Sequence, residues 1–119
     1  MKSMTIAAQH GSIHILEADR PATTSESKSL PVVFVHGMAC SADIWNAQIA
    51  YAARIQRAIA IDLRGHGAST SPADGNYSSA ACATDLFTVL EALKLDAIAL
   101  VGHSYGACVA LAAAATAPQ

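Results

Sequence analysis

The chain has 119 residues, 53% hydrophobic and 13% charged, with a formal net charge of −2. That length suits one domain, and the absence of a basic cluster argues against nucleic-acid binding. No apolar run approaches the roughly 18 residues of a membrane span. Gln9, His10 and Gly11 break the N-terminal segment too early for a signal peptide.

In chain order, Met4–Gln9 and Ser12–Ala18 predict two short strands around a turn at His10-Gly11. Asp19–Ser29 is polar, contains Pro21, and reads as a loop. Pro31–His36 is a β-branched run of the kind buried on both faces of a sheet. Ser41 or Asp43 is a candidate cap for a helix reaching about Arg54. Gln56–Asp62 is a second buried-strand run, followed by the turn Arg64-Gly65-His66-Gly67.

Ser79–Lys94 predicts an amphipathic helix, because Leu86, Val89, Leu90 and Leu93 repeat on one face. On that pattern Asp85 and Glu91 fall on the solvated side. Asp96–Val101 is the next strand, and Ala107–Ala117 reads as a helix buried nearly all round, with Pro118 as its stop. After the initial hairpin, strands alternate with helices. The expected fold class is therefore α/β, a mostly parallel sheet with flanking helices, in one domain over residues 1–119.

The strongest chemical signal is Gly102-His103-Ser104-Tyr105-Gly106, a G-x-S-x-G pentapeptide between an apolar strand and a helix. A serine hydroxyl is a poor nucleophile unless it is exposed, aligned with a base and close to donors for the developing oxyanion. A sharp strand-to-helix turn exposes Ser104, and side chains at Gly102 and Gly106 would collide across it. His36-Gly37-Met38 ends the first buried strand, where open parallel sheets bind ligands. Gly37 lets the chain turn, so that the N–H of Met38 can face the same cleft as the N–H of Tyr105.

Asp62-Leu63-Arg64-Gly65-His66-Gly67 reads as a structural turn. Trp45, Met38 and Tyr105 are candidates to line an acyl pocket. Of the five histidines, His10 and His14 are expected in solvent, and His103 pointing away from the cleft. The cysteines Cys40, Cys82 and Cys108 are odd in number and widely spaced, as in a reduced, cytoplasmic protein. No P-loop and no structural-zinc spacing occurs, so neither a cofactor nor a metal is expected.

VFVHGM, DLRGHGAS and VGHSYG, in this order and spacing, resemble the α/β-hydrolase fold superfamily, in its esterase, lactonase and C–C hydrolase branch. The resemblance covers about Ile13 to Pro118. It implies Ser104 as nucleophile and the Met38 and Tyr105 N–H groups as oxyanion hole, and disfavours members with Asp at the elbow. It implies a serine hydrolase acting on a small ester, lactone or related carbonyl substrate through an acyl-enzyme.

In that family the acid and base follow the serine, yet no Asp, Glu or His follows Ser104 here. The chain therefore reads as the N-terminal half of the fold, an incomplete domain inactive by itself. Its last strand would form an exposed sheet edge open to self-association. The alternative is a short, non-catalytic binding or interaction protein that keeps the sheet without the triad.

Overall fold

The structure, a computed structural model, describes residues 1–18 and 30–116. The predicted loop Asp19–Ser29, the final helical residue Ala117 and the stop at Pro118 lie outside the described residues.

The strands are β1 (Lys2–Ala8), β2 (Gly11–Glu17), β3 (Val32–Val35), β4 (Ala58–Ile61) and β5 (Ala99–Gly102). They form one sheet in the order β1-β2-β4-β3-β5. β3 runs parallel to both β4 and β5, while β1 and β2 make an antiparallel hairpin whose second strand pairs antiparallel with β4. The register aligns Val32 with Ala58 and Ala99, and Val35 with Ile61 and Gly102. The C-terminal ends of the three parallel strands therefore open on the same edge of the sheet.

Alternation along β3 explains the layers. Val33 and Val35 join Ile59, Ile61, Leu63, Leu86, Val89, Val109 and Ala113 in one buried cluster. Val32 and Phe34 join Ala58, Ala60 and Ile49 in the other, with Trp45 packed against them. Helices α2 (Ser79–Ala92) and α3 (Tyr105–Thr116) cover the first face, and α1 (Asn46–Ala52) covers the second. Such two-sided cover requires the unbroken apolar runs of β3 and β4.

Three expectations change. The helix expected from Ser41 or Asp43 to Arg54 is a 3-10 turn, Ala42–Trp45, followed by the shorter α1. Its start is fixed from outside, because the Ala42 N–H donates to the Asp62 carboxylate at 2.7 Å, and the Ser41 hydroxyl donates to Asp43 instead of capping backbone.

The helix carrying the Ala107–Ala117 run starts at Tyr105 and, instead of being buried nearly all round, is buried only along Gly106, Val109 and Ala113. Leu111 is 71% exposed, since among the described residues no element packs on the outer face of α3. Asp85 is buried rather than solvated. It lies three residues after Cys82 and four before Val89, both buried, so it shares their face.

Candidate functional site

The elbow is built by close approach of backbones. The His103 N–H donates to the Val35 carbonyl at 3.0 Å, one residue beyond the last β5 pair, so sheet geometry persists to the turn. Ser104 then adopts φ +57°, a left-handed conformation rare outside glycine. The helix starts at once, with Gly106 N–H donating to His103 O and Ala107 N–H to Ser104 O, both at 2.9 Å.

Both elbow glycines are required by space. A Cβ at Gly102 would sit 2.4 Å from the Gly106 carbonyl oxygen, and one at Gly106 would sit 2.2 Å from the Val35 carbonyl oxygen. Ser104 is exposed at the crest of this turn.

The turn after β3 abuts the elbow. A Cβ at Gly37 would lie 3.2 Å from Ser104 Cβ and 3.2 Å from His103 Nδ1. The turn closes through Cys40 N–H donating to Gly37 O at 3.1 Å, with Ala39 at φ +64°. Met38 is exposed at its tip. Neither the Met38 nor the Tyr105 backbone N–H is hydrogen-bonded to a described residue. Two donors with no partner among the described residues and a hydroxyl thus share one edge, a juxtaposition suited to an anion or a carbonyl oxygen.

His36 fixes that turn from below. It is fully buried; its Nδ1–H donates to Gly37 O at 2.7 Å, and its Nε2 accepts from the Leu63 N–H at 3.0 Å. Burial holds its pKa below the ordinary 6.5, which keeps the ring neutral, as those two bonds require.

The turn after β4 is structural. The Asp62 carboxylate accepts from Ala42 N–H at 2.7 Å, Ala68 N–H at 3.0 Å and His14 Nδ1 at 2.8 Å. A Cβ at Gly67 would fall 2.3 Å from that carboxylate. Arg64 makes a bidentate pair with Asp85 at 2.8 and 2.9 Å and donates to Asn76 O at 2.9 Å.

The histidines expected in solvent are not there. His14 is bonded to Asp62. The His10 ring lies 3.7 Å from Asp85, with both nitrogens buried and unbonded. His66 donates from Nδ1 to Arg64 O at 2.9 Å and packs against His36. Exposed His103 sits beside Gly37. Among the described residues, no imidazole is hydrogen-bonded to Ser104.

Of the three acyl-pocket candidates, only Met38 stays free of the interior. Trp45 packs on Phe34, with ring centroids 4.9 Å apart. The Tyr105 phenol turns inward and donates to the Tyr77 carbonyl, 3.8 Å from Cys82 Sγ. Burial pushes the Tyr105 phenol up to about 12 and raises the Cys82 thiol as well. The inward Tyr105 and the Arg64–Asp85 pair escaped the sequence reading. The position of Asp85 on the Cys82–Val89 face was the signal for the second.

An apolar cleft of about 620 Å³ is lined by Leu86, Phe87, Leu90, Leu95, Ile98 and Leu100. It runs beside β5 and away from Ser104. Among the described residues no cluster of three or more His, Cys, Asp or Glu could hold a metal ion. No described helix is long and apolar enough to cross a membrane.

Comparison with known proteins agrees with this architecture. An epoxide hydrolase of Caballeronia sordidicola is 36% identical over the whole chain, which spans 34% of that protein. A non-heme chloroperoxidase of Burkholderia pyrrocinia is 43% identical over 64% of the chain and 27% of its own length. The chain thus spans about a third or less of these curated relatives. The solved structure of Est816, an N-acyl homoserine lactone degrading enzyme, superposes with a TM-score of 0.84 at 31% identity, over 98% of this chain and 41% of that one. The sheet and its helices form the N-terminal part of such a fold. The family profile described as alpha/beta hydrolase fold matches residues 31–119, and the chain belongs to that family.

Proposed function

We propose that Ser104 is the nucleophile of a serine hydrolase that transfers the acyl group of a small ester, lactone or related carbonyl substrate to water. The observation that carries this reading is the left-handed Ser104 between two space-limited glycines, with the N–H groups of Met38 and Tyr105, unbonded among the described residues, at the same edge. In this mechanism the Ser104 oxygen attacks the carbonyl carbon. The two N–H groups stabilise the oxyanion, the leaving group departs, and water then releases the acid.

The similar proteins bear the names epoxide hydrolase, chloroperoxidase and lactone-degrading enzyme. They share a fold rather than one reaction. The hydroxyl at the elbow supports acyl transfer over epoxide opening, since an ester of serine forms and hydrolyses as an ordinary acyl-enzyme. Because no described imidazole meets Ser104, the reading requires its base and acid from outside the described residues. The free thiols Cys40, Cys82 and Cys108 support a cytoplasmic setting.

The second reading, a non-catalytic binding or interaction protein, is favoured by the absence of an imidazole hydrogen-bonded to Ser104 among the described residues. A fluorophosphonate probe separates the two. Slow phosphonylation confined to Ser104, located by peptide mass spectrometry and abolished in Ser104→Ala, is the expected result. Turnover of p-nitrophenyl acetate should stay near the Ser104→Ala level. Labelling that ignores Ser104 would sink the nucleophile reading, and a Ser104-dependent burst would show that the chain holds a working base.

A further inference from the structure

We infer that Tyr105 is a positioning residue for the elbow, holding Ser104 and the adjacent N–H through the hydrogen bond from its phenol to the Tyr77 carbonyl. This inference rests on the reading of Ser104 as nucleophile.

A non-glycine residue at φ +57° persists only where its surroundings over-determine it. On the sheet side those surroundings are plain: His103 N–H bonds Val35 O, and Gly106 is seated on the Val35 and His36 carbonyls. On the far side, among the described residues, the Tyr105 phenol supplies the side-chain hydrogen bond that ties the start of α3 to the loop before α2.

Its acceptor is held in turn. The Asn76 carbonyl, one residue earlier, accepts from Arg64, which is clamped by both carboxylate oxygens of Asp85. The Tyr77 ring lies over Gly65, where a Cβ would come within 2.5 Å of it, and edge-on to His66. Two successive carbonyls are thus gripped by side chains from the turn after β4 and from α3. The phenol cannot follow Tyr77 elsewhere, so it reports and resists rotation at Ser104.

The Cys82 thiol fills the remaining side at 3.8 Å. With its pKa pushed up to about 12, the phenol remains a donor at any ordinary pH. A swing of Ser104 toward the common right-handed conformation would carry the Tyr105 Cα with it and break the bond.

The test uses Tyr105→Phe, which keeps the ring and removes one oxygen, beside Tyr51→Phe, a control at a 70% exposed tyrosine. Hydrogen–deuterium exchange is followed in peptides spanning 73–78 and 102–108, with circular dichroism confirming the fold. Loss of one net hydrogen bond corresponds to about fivefold to tenfold faster local opening. Tyr105→Phe should accelerate both segments by that factor and leave the remaining amides unchanged, while Tyr51→Phe accelerates neither.

In fluorophosphonate labelling, the maximal rate should fall about tenfold with the half-saturating probe concentration unchanged, as for a group that aligns rather than binds. Acceleration confined to 73–78, or an unaltered maximal rate, overturns the inference. Failure of the parent protein to label Ser104 overturns the nucleophile reading instead, and the exchange data still decide whether Tyr105 holds the elbow.

Discussion

Gly106 rests directly on the backbone of Val35, so closely that a Cβ would stand 2.2 Å from the Val35 carbonyl oxygen. This contact brings the first turn of α3 down onto the central strand and thereby sets the height of Ser104 above the sheet. Gly106→Ala must push helix and strand apart, at a cost of about 3 kcal/mol, the upper end for overpacking. Gly75→Ala meets no atom within 4 Å and suffers only from its φ of +68°, about 1 kcal/mol. Urea unfolding of the two variants should therefore separate them by about 2 kcal/mol, and equal losses would refute the contact argument.

Ser104 tests a trade between stability and chemistry. Its left-handed backbone costs about 1–2 kcal/mol, while glycine there adds about 0.5–1 kcal/mol of unfolded-state entropy. Ser104→Gly should then be about 0.5–1 kcal/mol more stable than Ser104→Ala, with both equally unlabelled by the fluorophosphonate. Thermal melts of the two variants at one pH give the comparison, and an alanine variant as stable as glycine would mean the turn is unstrained.

The Arg64–Asp85 pair is nearly buried, and each partner is costly without the other. Asp85→Ala leaves the guanidinium unpaired and should cost about 3–5 kcal/mol. Removing both charges, as in Arg64→Met with Asp85→Leu, should recover most of that loss. A double variant as unstable as Asp85→Ala would show that the Asn76 and Ala81 carbonyls depend on Arg64 more than on the ion pair.

His36 should make stability depend on pH. Its folded pKa lies below the ordinary 6.5 because the ring is buried. The unfolded chain therefore binds the proton more readily than the folded one. Stability from this group is complete above 6.5 and declines as the pH falls through the folded value. Melting temperature should drop between pH 7.5 and 5.5, and His36→Gln should flatten part of that slope while lowering stability at pH 7.5. An identical slope in the variant would rule out His36 as its source.

Association through β5 is the remaining proposal. Among the described residues β5 is hydrogen-bonded only to β3, leaving its outer edge open, with Val101 38% exposed beside it. Such an edge is a template for another strand. Light scattering behind size exclusion should find concentration-dependent association, reduced in Val101→Lys. A monodisperse monomer with a cooperative melt would count against self-association.

The sequence by itself determined those features whose physics is local. The unbroken apolar runs at Val32–Val35 and Ala58–Ile61 dictated buried parallel strands, and glycines at 102 and 106 around Ser104 dictated a tight strand-to-helix turn. Spacing alone also placed α2, with Leu86 and Val89 buried as the helical period required. Tertiary structure decided what depends on partners distant along the chain. Asp85 is buried because Arg64, 21 residues earlier, supplies the compensating charge, and His14 leaves solvent because Asp62 lies 48 residues on. Likewise α3 is open on one face because cover comes from other elements, whatever its own apolar composition. A side chain's periodicity states which face it occupies; only the packed neighbours state whether that face meets water, a counter-charge or the carbonyl of Tyr77.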